Sequence, residues 1–328
     1  MGTALDFVRF NLLPGIAVGV LMWAVVSAGV WLLGVRQGKL RLCLFAAPLA
    51  KSTLVILGVA PAIAWRVASF DAWFADAVPP ATVVPWFLLA TGAVLAARAG
   101  LDRKATARII SAGSDDDPRL ARLEKSLDRV FARLAASPAR LPVQFACEGL
   151  PGRPGLAVGG PEVTSPTLIL EGRPTIVVPG AWIDQVGDDR DLDGALAHEL
   201  AHLQIRRPFG CMSSEFVRSL SIVNPLAGLM SRQLELEEEG ACDDVGVAVV
   251  GDSQAYASML LDGYRFARAG ARPTPPPLRY ATRLIGMRPA VSARIERVLA
   301  GDPGAGHGVE IAAFVCIWAL LIGVFFTG

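Results

Sequence analysis

The sequence predicts a membrane α-helical bundle of four transmembrane helices, with an α+β polar domain inserted between the third helix and the fourth. Three observations predict it. The chain has 328 residues, of which 53% are hydrophobic and only 19% charged, too apolar a balance for a wholly water-soluble protein. Four apolar runs, at about 12–34, 40–65, 81–98 and 309–327, come close to or exceed the ~20 helical residues that cross a hydrocarbon core. Between the third and the fourth lies a polar stretch of about one domain's length. The expected organisation is therefore three membrane helices in 1–98, a polar domain in 99–306 and a last membrane helix in 307–328.

The first run is too long for a secretion signal, follows Asp6 and Arg9, and lacks a small-residue cleavage site, so it reads as a membrane helix. Short loops set the orientation. The first carries Arg36, Lys39 and Arg41, the second Arg66 with Asp71 and Asp76, and the third run is followed by Arg98, Arg103, Lys104 and Arg108. Basic loops face the cytoplasm, which puts both chain termini outside and the polar domain inside. Lys51 falls near the middle of the second run, where a charge is either functional or snorkels along a helix made irregular by Pro48, Gly58 and Pro61.

Membrane lipid is thus one expected partner. A formal net charge of +1 leaves no basic surface with which to neutralise a row of phosphates, which argues against direct nucleic-acid binding. The scattered Cys43, Cys147, Cys211, Cys242 and Cys316 form no C-x-x-C pair and read as thiols in a reducing compartment.

Within the polar domain Leu120, Leu123, Leu127, Val130, Phe131 and Leu134 recur at helical spacing, predicting an amphipathic helix over about Arg119–Leu134. The Gly- and Pro-rich stretch Leu141–Pro179 contains strand candidates at Pro142–Ala146, Thr167–Leu170 and Thr175–Val178, enough for a small sheet. A second helix is expected from about Asp191 to Ile205, ending before Pro208. A third is expected to start at Pro225 with Asn224 as its cap. The apolar stretch Phe216–Met230, interrupted by Pro225, is suited either to the membrane or to a helix boundary in the core.

The second helix contains His198-Glu199-Leu200-Ala201-His202, an H-E-x-x-H motif. Residues four apart lie on one helix face, so both imidazoles can reach one Zn²⁺ while the intervening glutamate reaches water at the metal. Leu192, Ala195, Leu196, Leu200 and Leu203 occupy the other faces and would bury the helix. The alternative is a coincidental pair of core histidines. Downstream, Glu235 and the run Glu237-Glu238-Glu239-Gly240-Ala241-Cys242-Asp243-Asp244 supply carboxylates on the third helix. Such a run is ordinarily a solvated acidic face. Here Glu239 and Asp243 stand one turn apart, so one could bind zinc while the other orients a histidine through its second ring nitrogen.

These residues resemble the M56 family of bacterial membrane metallopeptidases, to which the β-lactam-sensing signal transducers belong. The resemblance is carried by H-E-L-A-H at His198–His202, N-P-L at Asn224–Leu226 and E-G-A-C-D-D at Glu239–Asp244. The M48 family of membrane zinc proteases is next best, sharing the E-x-x-x-D spacing, but the Asn-Pro and Ala-Cys-Asp elements favour M56. The resemblance spans nearly the whole chain. It implies a zincin-like domain of the gluzincin type in a bacterial cytoplasmic membrane, one Zn²⁺ per chain held by His198, His202 and Glu239, Asp243 as the partner behind a histidine, and Glu199 as general base and acid. The implied substrate is a cytoplasmic protein, for instance a transcriptional repressor, or the chain itself. The antibiotic sensors carry an extracellular penicillin-binding domain after their last helix; with Gly328 as the final residue here, the signal is expected to be sensed by the membrane part or by another protein.

Zincins pair substrate backbone with a sheet edge, expected here within Val163–Leu170 and so involving Val163, Thr164, Ser165 and Thr167. Arg294, in Pro289-x-x-x-x-Arg294-Ile295, resembles an M48 position and is the candidate oxyanion stabiliser, against the alternative of a solvated helix arginine. His307 reads as a loop residue. Self-association is left open. A receptor or scaffold with a structural zinc site is the competing reading, and Glu199 argues against it, since a closed site of four protein ligands has no use for a base.

Overall fold

A computed structural model of the chain describes residues 2–58, 82, 85–86, 89, 92–93, 117–136, 152–169, 173–206, 224–270, 288–300 and 307–322. Most of the third apolar run, residues 59–65 of the second, and the strand candidate at 142–146 lie outside them. In chain order come helix α1 (Gly2–Phe7), a π-helical turn at Val8–Leu12, α2 (Leu13–Leu32), α3 (Gly38–Ile56) and α4 (Pro118–Ala136). Strands β1 (Gly155–Gly159), β2 (Thr167–Ile169) and β3 (Thr175–Pro179) follow. Then come α5 (Gly180–Gln185), α6 (Asp189–Arg206), α7 (Pro225–Val250), α8 (Ser253–Gly270), α9 (Arg288–Leu299) and α10 (His307–Leu321). The described residues are thus mainly helical with one small sheet.

Two compact units result. The first comprises Met1–Ala97, Phe209–Glu237 and Gly306–Gly328; the second comprises Arg98–Pro208 and Glu238–Ala305. The division falls within α7, between Glu237 and Glu238.

In the first unit Leu5–Leu32 forms a helix of 28 residues, an 18-residue window of which has mean hydropathy 2.0; it is the one described helix long and apolar enough to cross a membrane. Its π turn buries Asn11, whose amide donates to the Ile56 carbonyl at 3.1 Å. Glycine lets α2 approach α3 closely: a Cβ on Gly15 would lie 2.4 Å from Ile56 Cγ1 and 3.0 Å from the Ser52 carbonyl oxygen. Small residues serve this purpose where helices pack in lipid. Lys51 is only 2% exposed, so it is enclosed rather than extended toward an interface. The described part of the last apolar run, α10, has 15 residues and carries a buried Glu310. That carboxylate accepts the backbone N–H groups of Arg36 at 3.0 Å and Gln37 at 2.8 Å, placing negative charge where α3 begins and its amides lack partners. His307, expected in a loop, begins this helix.

In the second unit the sheet order is β1-β3-β2. β1 runs parallel to β3 with Gly155 opposite Thr175, and β2 runs antiparallel with Thr167 opposite Val177. Strand β1 escapes the alternation pattern because glycines occupy both its ends. Helix α4 begins where Asp117 accepts the Arg119 N–H at 2.9 Å, and it buries Leu123, Leu127, Val130 and Leu134 at the predicted spacing. Helix α6 begins the same way, Asp188 accepting the Arg190 N–H at 2.9 Å. It is buried on nearly every side, by Leu192, Ala195, Leu196, Ala197, Leu200, Ala201 and Leu203. Enclosure of this kind fixes the rotamers of any polar side chain it carries.

Candidate metal centre

Four helices of the second unit converge on one spot. Helix α6 brings His198, Glu199 and His202; the second half of α7 brings Glu238, Glu239, Cys242 and Asp243; α8 adds Tyr256 and α9 adds Arg294. The spacing of four sets the two imidazoles side by side, ring centroids 5.0 Å apart with planes at 86°. His198 Nε2 lies 3.4 Å from Glu239 Oε2, and His202 Nε2 lies 3.5 Å from Glu239 Oε1. Both histidines thus direct the same ring nitrogen at one carboxylate.

The other ring nitrogens have carboxylates behind them. His198 Nδ1 is 3.2 Å from Asp243 Oδ1 and 3.2 Å from the Tyr256 hydroxyl, which itself donates to Asp243 Oδ1 at 2.9 Å. His202 Nδ1 is 3.4 Å from Glu238 Oε1, within ion-pair reach but not aligned as a hydrogen bond. Arg294 donates from Nε and a terminal nitrogen to the two oxygens of Asp243, and its other terminal nitrogen is 2.9 Å from Glu239 Oε2.

These contacts decide the protonation of the metal-free site. Burial opposes a charge on His198, but Asp243 and Glu239 overcome it and raise its pKa from 6.5 to about 9. Burial likewise opposes ionisation of Glu239 and Asp243, yet the Arg294 guanidinium outweighs it and holds both well below the usual carboxylate range. Burial pushes the Cys242 thiol upward, and the carboxylates of Glu239, Glu238, Asp243 and Glu199 push it further.

The donor set suits a zinc ion. Bonds of about 2.0 to 2.2 Å in a tetrahedron hold ligand atoms roughly 3.3 Å apart, close to the separations between the histidine nitrogens and Glu239. A second set is also within reach: His198, His202 and Cys242 offer ligand atoms that all lie within 4.8 Å of one another. We favour Glu239, because each of its oxygens already faces a histidine Nε2 and its negative charge is held by Arg294. The Glu199 side chain is buried beside the pair, and no hydrogen bond or ion pair engages its carboxylate among the described residues.

Of the expected edge residues, Thr167 begins β2, an outer strand of the described sheet. Val163, Thr164 and Ser165 precede it: Val163 packs with Ile169 and Val177, Ser165 is buried, and Val163 and Thr164 line a cleft of about 900 Å³ together with Arg119 and Phe266. Glu238 and Tyr256 are site residues that spacing did not single out. The signal for Glu238 was its place in the acidic run. Tyr256 follows an Asp252 cap, whose carboxylate accepts the Gln254 N–H at 2.8 Å, and that Asp-Ser start together with the helical spacing of Tyr256, Met259, Leu260 and Ala267 is the sequence signal for α8. No protein family, curated protein or solved structure matches the chain.

Proposed function

We propose that the protein is an integral membrane zinc endopeptidase. The observation that supports this most is the convergence of His198 Nε2 and His202 Nε2 on the two oxygens of Glu239, with the buried Glu199, whose carboxylate no described residue engages, on the same helix turn. His198, His202 and Glu239 would hold zinc, which supplies a Lewis acid for a peptide carbonyl and lowers the pKa of water. Glu199 takes a proton from the attacking water and returns it to the leaving amine nitrogen as the peptide bond breaks. Asp243 keeps His198 oriented, and the sheet edge at β2 offers backbone groups for an extended substrate. The enclosure of α6 holds these groups in place. Arg294, expected at the oxyanion, contacts carboxylates instead and acts on ligand position.

By resemblance to the M56 transducers the substrate is a cytoplasmic protein, such as a transcriptional repressor, with self-cleavage as the second route. The reading also keeps four membrane spans, both termini outside and the catalytic unit in the cytoplasm; a cysteine introduced near Ala77 should react with an impermeant reagent from outside, and one near Ser114 should not. Glu199→Gln tests the enzyme reading. It should retain zinc and membrane insertion while abolishing cleavage of the cytoplasmic substrate or of the chain, seen by immunoblot in cells. Unchanged cleavage in the variant would leave the second reading, a receptor with a structural zinc site. Cys242 favours that alternative, because a thiolate added to His198, His202 and Glu239 would close the coordination shell.

A further inference from the structure

We infer that Tyr256 is a positioning residue of the metal centre: its hydroxyl braces the Nδ1 edge of His198 against Asp243 and so keeps Nε2 turned toward the metal. This rests on the reading of His198 as a ligand. Three groups compete for one oxygen, since Asp243 Oδ1 receives Arg294 at 2.6 Å and Tyr256 at 2.9 Å and lies 3.2 Å from His198 Nδ1. The tyrosine relieves that competition. While its O–H donates to Asp243, its oxygen lies 3.2 Å from Nδ1 and has lone pairs free to accept the imidazole N–H. With Nδ1 occupied as a donor, Nε2 is left as the metal-binding nitrogen.

The ring is held where only glycine permits it. Tyr256 is fully buried, and a Cβ on Gly246 would lie 2.2 Å from its Cε2 and 2.6 Å from its hydroxyl oxygen. Helix α7, which supplies Glu239, therefore leaves out a side chain at Gly246 so that this ring can lie against it.

The test uses the full chain in detergent and Zn²⁺ competed against a chromophoric chelator. Tyr256→Phe keeps the ring and removes only the hydroxyl; it should fold as the wild type does and bind zinc about 10- to 100-fold more weakly. Gly246→Ala displaces the ring without removing a polar group. It should weaken zinc binding in the tyrosine background and much less in the Tyr256→Phe background, because no hydroxyl remains to be misplaced. Equal affinity in Tyr256→Phe and wild type overturns the inference, as do additive effects of the two changes, which would mark a packing role. Should Gly246→Ala fail to fold, the Tyr256→Phe affinity decides alone. A wild-type chain that takes up no zinc would instead overturn the metal reading itself.

Discussion

Arg294 grips both oxygens of Asp243, from Nε to Oδ2 at 2.8 Å and from a terminal nitrogen to Oδ1 at 2.6 Å. The pairing is bidentate and buried, and the same guanidinium reaches Glu239. Its removal strands two ionised carboxylates. Arg294→Met should therefore destabilise the metal-free protein by about 3–5 kcal/mol, the cost of breaking a buried charge cluster from one side. Zinc should then raise the unfolding midpoint more in the variant than in the wild type, because the dication restores positive charge beside Glu239. Thermal unfolding with and without zinc checks both statements; identical metal-free midpoints would show that the cluster does not depend on Arg294.

Glu239 and Cys242 are rival third ligands on one helix. Glu239→Gln should lose most of its zinc, whereas Cys242→Ser should retain one equivalent per chain. Cobalt substitution separates the cases further, since a thiolate ligand adds a sulfur-to-metal charge-transfer band and a carboxylate does not. Zinc loss in Cys242→Ser, or that band in the wild type, would transfer the assignment to the thiol.

Much of this site was legible because helical spacing is local. His198, Glu199 and His202 need only one turn of one helix to meet, and Glu239 with Asp243 need one turn of another. What remained hidden depends on contacts between distant segments. The acidic run reads as a solvated face, yet each of three consecutive glutamates meets a basic side chain: Glu237 bonds Arg41 at 2.6 and 2.7 Å, Glu238 faces His202, and Glu239 faces both histidines. Arg294 was found by motif, but the two carboxylates that hold it, Asp243 and Glu239, lie more than fifty residues away in sequence and could not be read beside it. Tyr256 could not be found by spacing, because its relation to His198 spans 58 residues. The apolar run expected at about 12–34 lies largely within the long helix Leu5–Leu32, which starts earlier than hydropathy placed it, whereas Thr167 alone of the named edge residues lies in a strand, since turn geometry decides where a strand starts.

The raised pKa of His198 makes a prediction about acidity. In the metal-free fold His198 binds its proton more tightly than in the unfolded chain, about 9 against 6.5, so its contribution to stability is complete below pH 6.5 and disappears as pH rises through about 9. The unfolding midpoint of the chelator-treated protein should fall across that window. Asp243→Asn, which removes the strongest carboxylate partner, should flatten the fall. Zinc uptake should strengthen over the same range, because the metal must displace the proton. A wild-type profile as flat as that of Asp243→Asn would contradict the pairing.

Asn224 makes a prediction within the first unit. It is fully buried where α7 begins, and its side chain serves at both ends: Oδ1 accepts the Leu226 N–H at 3.1 Å, and Nδ2 donates to Ser52 Oγ at 3.0 Å and Thr53 Oγ1 at 3.3 Å on α3. Asn224→Ala removes the cap, worth about 1 kcal/mol, and the bonds to α3, worth a further 1 kcal/mol or so. Asn224→Ser keeps a capping oxygen but is too short to reach α3, so it should fall between alanine and the wild type. Asn224→Asp separates capping from bridging. Aspartate is as good a cap, but it cannot donate to Ser52 and Thr53, and the Thr53 hydroxyl already donates to the Leu49 carbonyl at 2.8 Å. Only Ser52 could turn to meet the carboxylate, which leaves a buried charge poorly compensated. Asn224→Asp should therefore unfold at a lower temperature than Asn224→Ser when both are purified in the same detergent and heated in parallel. A midpoint for Asn224→Asp at or above that of the wild type would show that Asn224 acts as a cap alone.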